Sequence, residues 1–207
     1  MRLLYSLSVL VCAFCFFLSS AAAETPRSLI FEGSAGVNAC SGDFCSEGGP
    51  SVGIGFTGMY RMHPNFALGL NVHYGRFDAD NLDLMYDYVV NFEARGILPL
   101  GSRLRLFGGG NFGYVTTYAE GVFDEDDDVF RIFRATGVTF GVHAGLSVRL
   151  TERIHAGVLA RFWVPVWSDA CFYEADGGEC REPHELEFDF DMLPWFAGVF
   201  LQYELPY

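Results

Sequence analysis

The sequence predicts an all-β chain folded as an eight-stranded antiparallel up-and-down transmembrane β-barrel, and three observations predict it. Val138, Phe140, Val142, Ala144, Leu146, Val148 and Leu150 alternate with Thr139, Gly141, His143, Gly145, Ser147 and Arg149, which is the period of a strand with one apolar face. The face opposite the apolar one consists of Gly, Ser, Thr and His with single arginines, in a chain that contains no lysine. A face in water carries long solvated side chains, whereas small ones suit a crowded interior. The oily face is therefore the outside, in lipid, where only helices and closed barrels satisfy every backbone polar group. The third observation is that the connections alternate long and short along the chain, as in membrane barrels with short turns at one end and long loops at the other.

The elements follow in order. Ser28 to Asn38 sets Leu29, Phe31, Ala35 and Val37 against Glu32, Ser34, Gly36 and Asn38, and a loop runs from Ala39 to Gly49. Ser51 to Arg61 sends Val52, Ile54, Phe56 and Tyr60 outward and Gly53, Gly55, Thr57 and Arg61 inward, ending in a turn around Pro64. Phe66 to Phe77 is the third strand, with His73 inward, and Asp78 to Leu84 is an acidic loop. Met85 to Leu98 faces lipid with Tyr86, Tyr88, Val90 and Phe92 and the lumen with Asp87, Asn91, Glu93 and Arg95. Arg103 to Thr116 turns Arg105 inward, and a polar segment from Thr117 to Thr136 follows. Gly137 to Leu150 and Arg153 to Trp167 form a hairpin about Thr151 and Glu152. A last loop from Ser168 to about Glu187 precedes the eighth strand, Phe188 to Tyr207.

The N-terminus reads as a processing signal. Arg2 precedes an apolar run from Leu3 to Leu18, then Ser19, Ser20 and Ala21-Ala22-Ala23 before Glu24. Residues 1–23 are thus expected to be a secretory signal peptide and residues 24–207 one barrel domain. An exported chain with a lipid-facing barrel belongs in a bacterial outer membrane, with both termini periplasmic and the long loops outside. Aromatics near strand ends, among them Tyr60, Tyr74, Tyr86, Tyr88, Tyr114 and Trp167, suit the interfacial girdles of such a barrel. The formal charge of −13 argues against a nucleic-acid partner, since nothing would neutralise phosphates.

Glu32, Arg61, His73, Glu93, Arg95, Arg105, His143, Arg149 and Arg161 form the expected polar network of the lumen, with His155 on the same face. An eight-stranded lumen is about filled by side chains. Charges there either pair as a plug, because unpaired ones are costly, or line a narrow channel. An enzyme acting on lipid A is a third reading, and it needs a nucleophile within reach of a base. His143 and Ser147 share a face, but four residues along a strand separate them by about 13 Å, so no catalytic residues are assigned.

Neither metal nor cofactor is expected. Asp124, Asp126 and Asp128 have the opening spacing of a calcium loop, but Val129 replaces the glycine and no Glu stands at the twelfth position. Cys40, Cys45, Cys171 and Cys180 remain after the signal and lie in the long loops. An even number in an exported protein points to disulfides. Bridges within each loop are the first expectation, and cross-loop pairing is open because closure brings the first and last strands together.

Val199, Leu201, Tyr203, Leu205 and Tyr207 alternate to a terminal aromatic, and Gly198, Leu201 and Tyr203 resemble the glycine and spaced apolar residues of the insertion signal of outer-membrane barrels. That resemblance implies the barrel-assembly machinery as a partner during insertion. With its eight strands, the chain from Glu24 onward resembles the small barrels of the outer membrane protein A and X type. The leading functional expectation is a monomeric structural or surface-interaction barrel with disulfide-pinned acidic loops, in contact with outer-membrane lipid and lipopolysaccharide. A narrow channel is the alternative.

Overall fold

The computed structural model describes residues 27–42, 45, 48–79, 82–122, 130–174, 177–181 and 192–206. They form β1 (Ser28–Ser41), β2 (Gly48–His63), β3 (Phe66–Ala79), β4 (Leu82–Pro99), β5 (Leu104–Val122), β6 (Phe130–Arg149), β7 (Ile154–Glu174), β8 (Gly177–Arg181) and β9 (Leu193–Pro206). All but β8 close one barrel in the order β6-β5-β4-β3-β2-β1-β9-β7, completed by pairing of β6 with β7. Every pairing is antiparallel. The expected signal peptide, the run Asp124 to Asp128 and the terminal Tyr207 lie outside the described residues.

The alternation read from sequence is the alternation of burial. Val52, Ile54, Phe56, Leu70, Val90, Phe92, Phe140, Val142, Val158, Val199 and Leu201 are exposed on the outer wall, while Glu32, Asn71, His73, Asn91, Glu93, Arg95, Thr139 and Arg161 are buried within. The lumen is less polar than its glycines suggest. Phe107, Trp163, Phe196 and Phe200 are also buried there, and neighbouring glycines make room for them. A Cβ at Gly53 would stand 2.8 Å from Phe196, and one at Gly157 would stand 2.8 Å from Phe200.

Partners can be traced round the wall from Arg161 through His143, Gly109, Arg95, Ala67, Arg61, Ser28 and Pro206. Continuing the β7–β9 register then reaches position 151, just before β7 and about ten residues from the start. That stagger tilts the strands by roughly 40°, and it places several lumen charges along one inclined row.

The short turns are closed locally. Leu100 donates its N–H to Leu104 O at 2.8 Å beside Gly101, whose φ of 106° suits glycine. In the β6–β7 turn, Thr151 Oγ1 accepts from the N–H groups of Arg153 and Ile154 at 3.2 and 3.0 Å.

The other end departs from the sequence-based boundaries. β5 and β6 run on to Val122 and back from Phe130, through a segment expected to be polar loop. β7 continues to Glu174 and folds back as β8 where a loop from Ser168 was expected. The eighth barrel strand starts at Leu193, and 188–191 lie outside the described residues. Once two strands are in register, ladder hydrogen bonds satisfy their backbones in water as well as in lipid. The strands therefore need not stop where the apolar pattern stops.

Two disulfides sit at this end. Cys40 and Cys45 are bridged with Cα atoms 5.7 Å apart, and Cys171 and Cys180 with Cα atoms 4.0 Å apart. Cys40 lies in β1, and Cys171 and Cys180 are opposite partners of β7 and β8. Three of the four cysteines are thus in strands, not in the loops expected.

Val142 lies 61 % exposed in the apolar row of β6. Val142→Arg is expected to cost about 2–4 kcal/mol of folding free energy in lipid vesicles, the range for a cation near the bilayer midplane. An unchanged free energy would contradict a lipid-facing outer wall.

Candidate functional site

The lumen is the only enclosed surface on which the chain concentrates charge among the described residues, and its polar groups form three groups along the barrel. In the middle, Arg95 Nη1 donates to Glu32 Oε2 at 2.6 Å and Nη2 to Glu32 Oε1 at 3.1 Å. Its Nε and Nη2 reach Glu93 Oε1 at 3.0 and 2.5 Å. Arg161 Nη2 approaches Glu32 and Glu93 at 3.3 and 3.4 Å and donates to Thr57 Oγ1 at 3.0 Å. Two guanidinium groups and two carboxylates thus neutralise one another, each almost wholly buried.

Their positions matter more than their number. Glu32 stands on β1, Glu93 and Arg95 on β4 and Arg161 on β7, strands that are not neighbours of one another in the wall. The pairs Arg95–Glu32, Arg161–Glu32 and Arg161–Glu93 therefore cross the lumen, while Arg95–Glu93 joins two residues of β4. Arg95 also lies 4.4 Å above the Phe107 ring centroid, which gives the cation a second, aromatic partner. His143 Nε2 is 3.4 Å from Glu93 Oε1.

Towards the short turns, Arg61 of β2 forks onto Glu204 of β9 at 2.8 and 2.9 Å. Arg105 Nη1 and Gln202 Nε2 donate to the same carboxylate at 2.6 and 2.8 Å, and His155 Nε2 lies 3.3 Å from it. Arg149 is exposed and, among the described residues, makes no ion pair, so it stands outside the buried network.

Towards the long connections the contacts are mostly uncharged. Asn38 links His73 at 3.0 Å and Asp87 at 3.4 Å. His73 packs between Trp163 and Phe196, with ring centroids 4.8 and 4.9 Å away. A Cβ at Gly55 would crowd Ser34 Oγ at 2.7 Å, His73 Nδ1 at 3.4 Å and Arg161 Nη1 at 3.5 Å, so the small residues of β2 are what let these groups converge.

Sequence reasoning assigns no partner to Arg61 and Arg105. It misses Glu204, because that stretch reads most clearly through its outward residues Leu201, Tyr203 and Leu205. The signal is present, since Gln202 and Glu204 occupy the alternate, inward positions. Of the expected insertion-signal residues, Gly198 to Leu205 lie in β9, and Leu201, Tyr203 and Leu205 are exposed on the outer wall.

On the outer face near the long connections, Arg76, Tyr86, Tyr118 and Arg134 are successive register partners on β3, β4, β5 and β6. The Tyr86 and Tyr118 rings stack at 5.2 Å, and the Arg134 guanidinium lies 5.8 Å over Tyr118.

Residues 8–162 match the outer membrane protein beta-barrel domain family. The chain belongs to that family. No curated protein matches the sequence. Among solved structures, a major outer membrane protein from Thermus thermophilus is similar with a TM-score of 0.64 at 8 % identity, over 87 % of this chain and 100 % of that one. Neisserial surface protein A is similar with a TM-score of 0.57 at 12 % identity, over 86 % of this chain and 97 % of that one. OprG from Pseudomonas aeruginosa is similar with a TM-score of 0.52 at 13 % identity, over 86 % and 96 %. At such identities these likenesses speak for the fold alone, that of a small outer-membrane barrel.

Glu93→Gln would leave Arg95 and Arg161 to share Glu32. Unpairing a buried ion pair costs about 3–5 kcal/mol, and this loss is expected in urea unfolding from detergent micelles. A loss under about 1 kcal/mol, the size of an exposed pair, would contradict a buried, mutually dependent cluster.

Proposed function

We propose that this outer-membrane barrel serves a structural and surface-interaction role, with a lumen held shut to solutes by its own ion pairs. The observation that carries this reading is the Glu32–Arg95–Glu93–Arg161 cluster, which ties β1, β4 and β7 together across the lumen. In the proposed orientation the termini are periplasmic and the long connections, with their two disulfides and most of the acid, face outward as a monomer's binding surface. The partners are outer-leaflet lipid, a host surface or another protein. The Arg76–Tyr86–Tyr118–Arg134 row supports a lipopolysaccharide contact, because guanidinium groups suit phosphates and tyrosines suit the headgroup depth.

A narrow channel is the second reading. It draws on buried lumen atoms that have no protein hydrogen-bond partner among the described residues, including both amide atoms of Asn91, Thr139 Oγ1 and Trp163 Nε1; such atoms can be hydrated. Lipid A chemistry has the least support, since the pair singled out from the sequence does not meet: His143 lies opposite Gly109 and Ser147 opposite Arg105.

Planar-bilayer recording tests the main reading. The wild-type chain is expected to show no stepwise conductance. Steady wild-type steps that shift on Glu93→Gln or Arg161→Met would overturn it in favour of the channel. The orientation is checked separately by an epitope placed within 123–129, which is expected to be reached by antibody on intact cells.

A further inference from the structure

All thirteen basic residues of Lys and Arg type in the chain are arginines, and six of them gather at the short-turn end. Arg27 precedes β1, Arg61 lies two residues before the end of β2, Arg103 and Arg105 flank the start of β5, and Arg149 and Arg153 flank the β6–β7 turn. Only two carboxylates, Glu152 and Glu204, accompany them among the described residues. This mouth is therefore strongly positive on a protein whose formal charge is −13.

The arginines divide into two sets. Arg61 and Arg105 are committed to Glu204, although Arg61 Nε is buried with no partner among the described residues and Arg61 is only 8 % exposed. A small pocket above them is lined by Arg61, Arg95, Arg105, Ser147 and Gln202, with room for about one water molecule. Arg103, Arg149 and Arg153 are exposed and make no ion pair among the described residues. Their backbones adjoin: Arg149 N–H donates to Arg103 O at 2.7 Å, and Glu204 N–H donates to Arg153 O at 2.8 Å. Three uncommitted guanidinium groups thus border a mouth in which the one buried carboxylate is already shared by two more.

From this we infer that the short-turn mouth is a binding site for a phosphate-bearing anion, held by Arg103, Arg149 and Arg153. Guanidinium forks donate to phosphate oxygens in pairs. The outer wall beside the mouth carries exposed Leu100, Leu150 and Leu205, so a lipid whose headgroup reached the arginines would find apolar wall for its acyl chains. The same chemistry would hold soluble phosphate. The inference does not depend on which side of the membrane this mouth faces, nor on whether the lumen conducts.

The test is native mass spectrometry of the full chain in a non-ionic detergent with phosphatidylglycerol or phosphatidylcholine added, paired with calorimetry against inorganic phosphate. The wild type is compared with R103Q/R149Q/R153Q, which leaves the Glu204 pairs in place, and with R181Q in β8 at the opposite end. Heat-modifiable gel migration confirms folding, and R149Q alone replaces the triple variant should that fail to fold. Expected is at least tenfold stronger retention of phosphatidylglycerol than of phosphatidylcholine, lost in the triple variant and kept in R181Q, which assigns a lipid headgroup. Phosphate binding lost in the triple variant assigns a soluble anion. Equal retention of the two lipids with no phosphate binding, or binding that the triple variant keeps, would overturn the site.

Discussion

A charge in a lumen this narrow cannot keep its water, so it must find polar or charged partners among the other lumen side chains. That constraint organises the molecule. Closure of eight strands satisfies the backbone in lipid, and the same closure leaves an interior about one side chain deep from each wall. Glu32, Glu93, Arg95 and Arg161 answer it with pairs between β1, β4 and β7, which the ladder does not join, and with the Arg95–Glu93 pair within β4. The hydrogen-bond ladder joins neighbouring strands, and the inter-strand ion pairs join strands that are not neighbours.

The arrangement is graded along the barrel. Near the long connections the lumen holds Asn38, His73 and Asp87 among aromatic rings. The middle is neutral by mutual compensation. The short-turn end has more arginine than carboxylate. Buried ion pairs are a poor source of net stability, because desolvation offsets much of the attraction. What they supply here is a cross-brace whose loss leaves the surviving partner without compensation.

Much of this is legible in the sequence because a strand with two different solvents writes a period of two. The eight barrel strands, the outward rows such as Val138–Phe140–Val142 and the long-short rhythm all follow from that period. The inward residues are readable one strand at a time, as with Glu93 and Arg95. Which of them meet is not, because partnership across the lumen depends on the stagger of the whole ring. Glu204 is hard to pick out beside the outward aromatics of β9, which dominate that strand's pattern. The extensions of β5, β6 and β7 are hidden because in water paired strands no longer need an apolar face, so the pattern fades while the ladder continues.

Glu32 on β1 and Arg95 on β4 depend on each other across the barrel. A double-mutant cycle with Glu32→Gln and Arg95→Met, read by urea unfolding in detergent micelles, measures that dependence directly. A coupling energy of about 2–3 kcal/mol is expected, at the upper end of what contacting charges show. Single-variant losses that simply add, within about 0.5 kcal/mol, would show that the two walls fold without reference to each other and would contradict it.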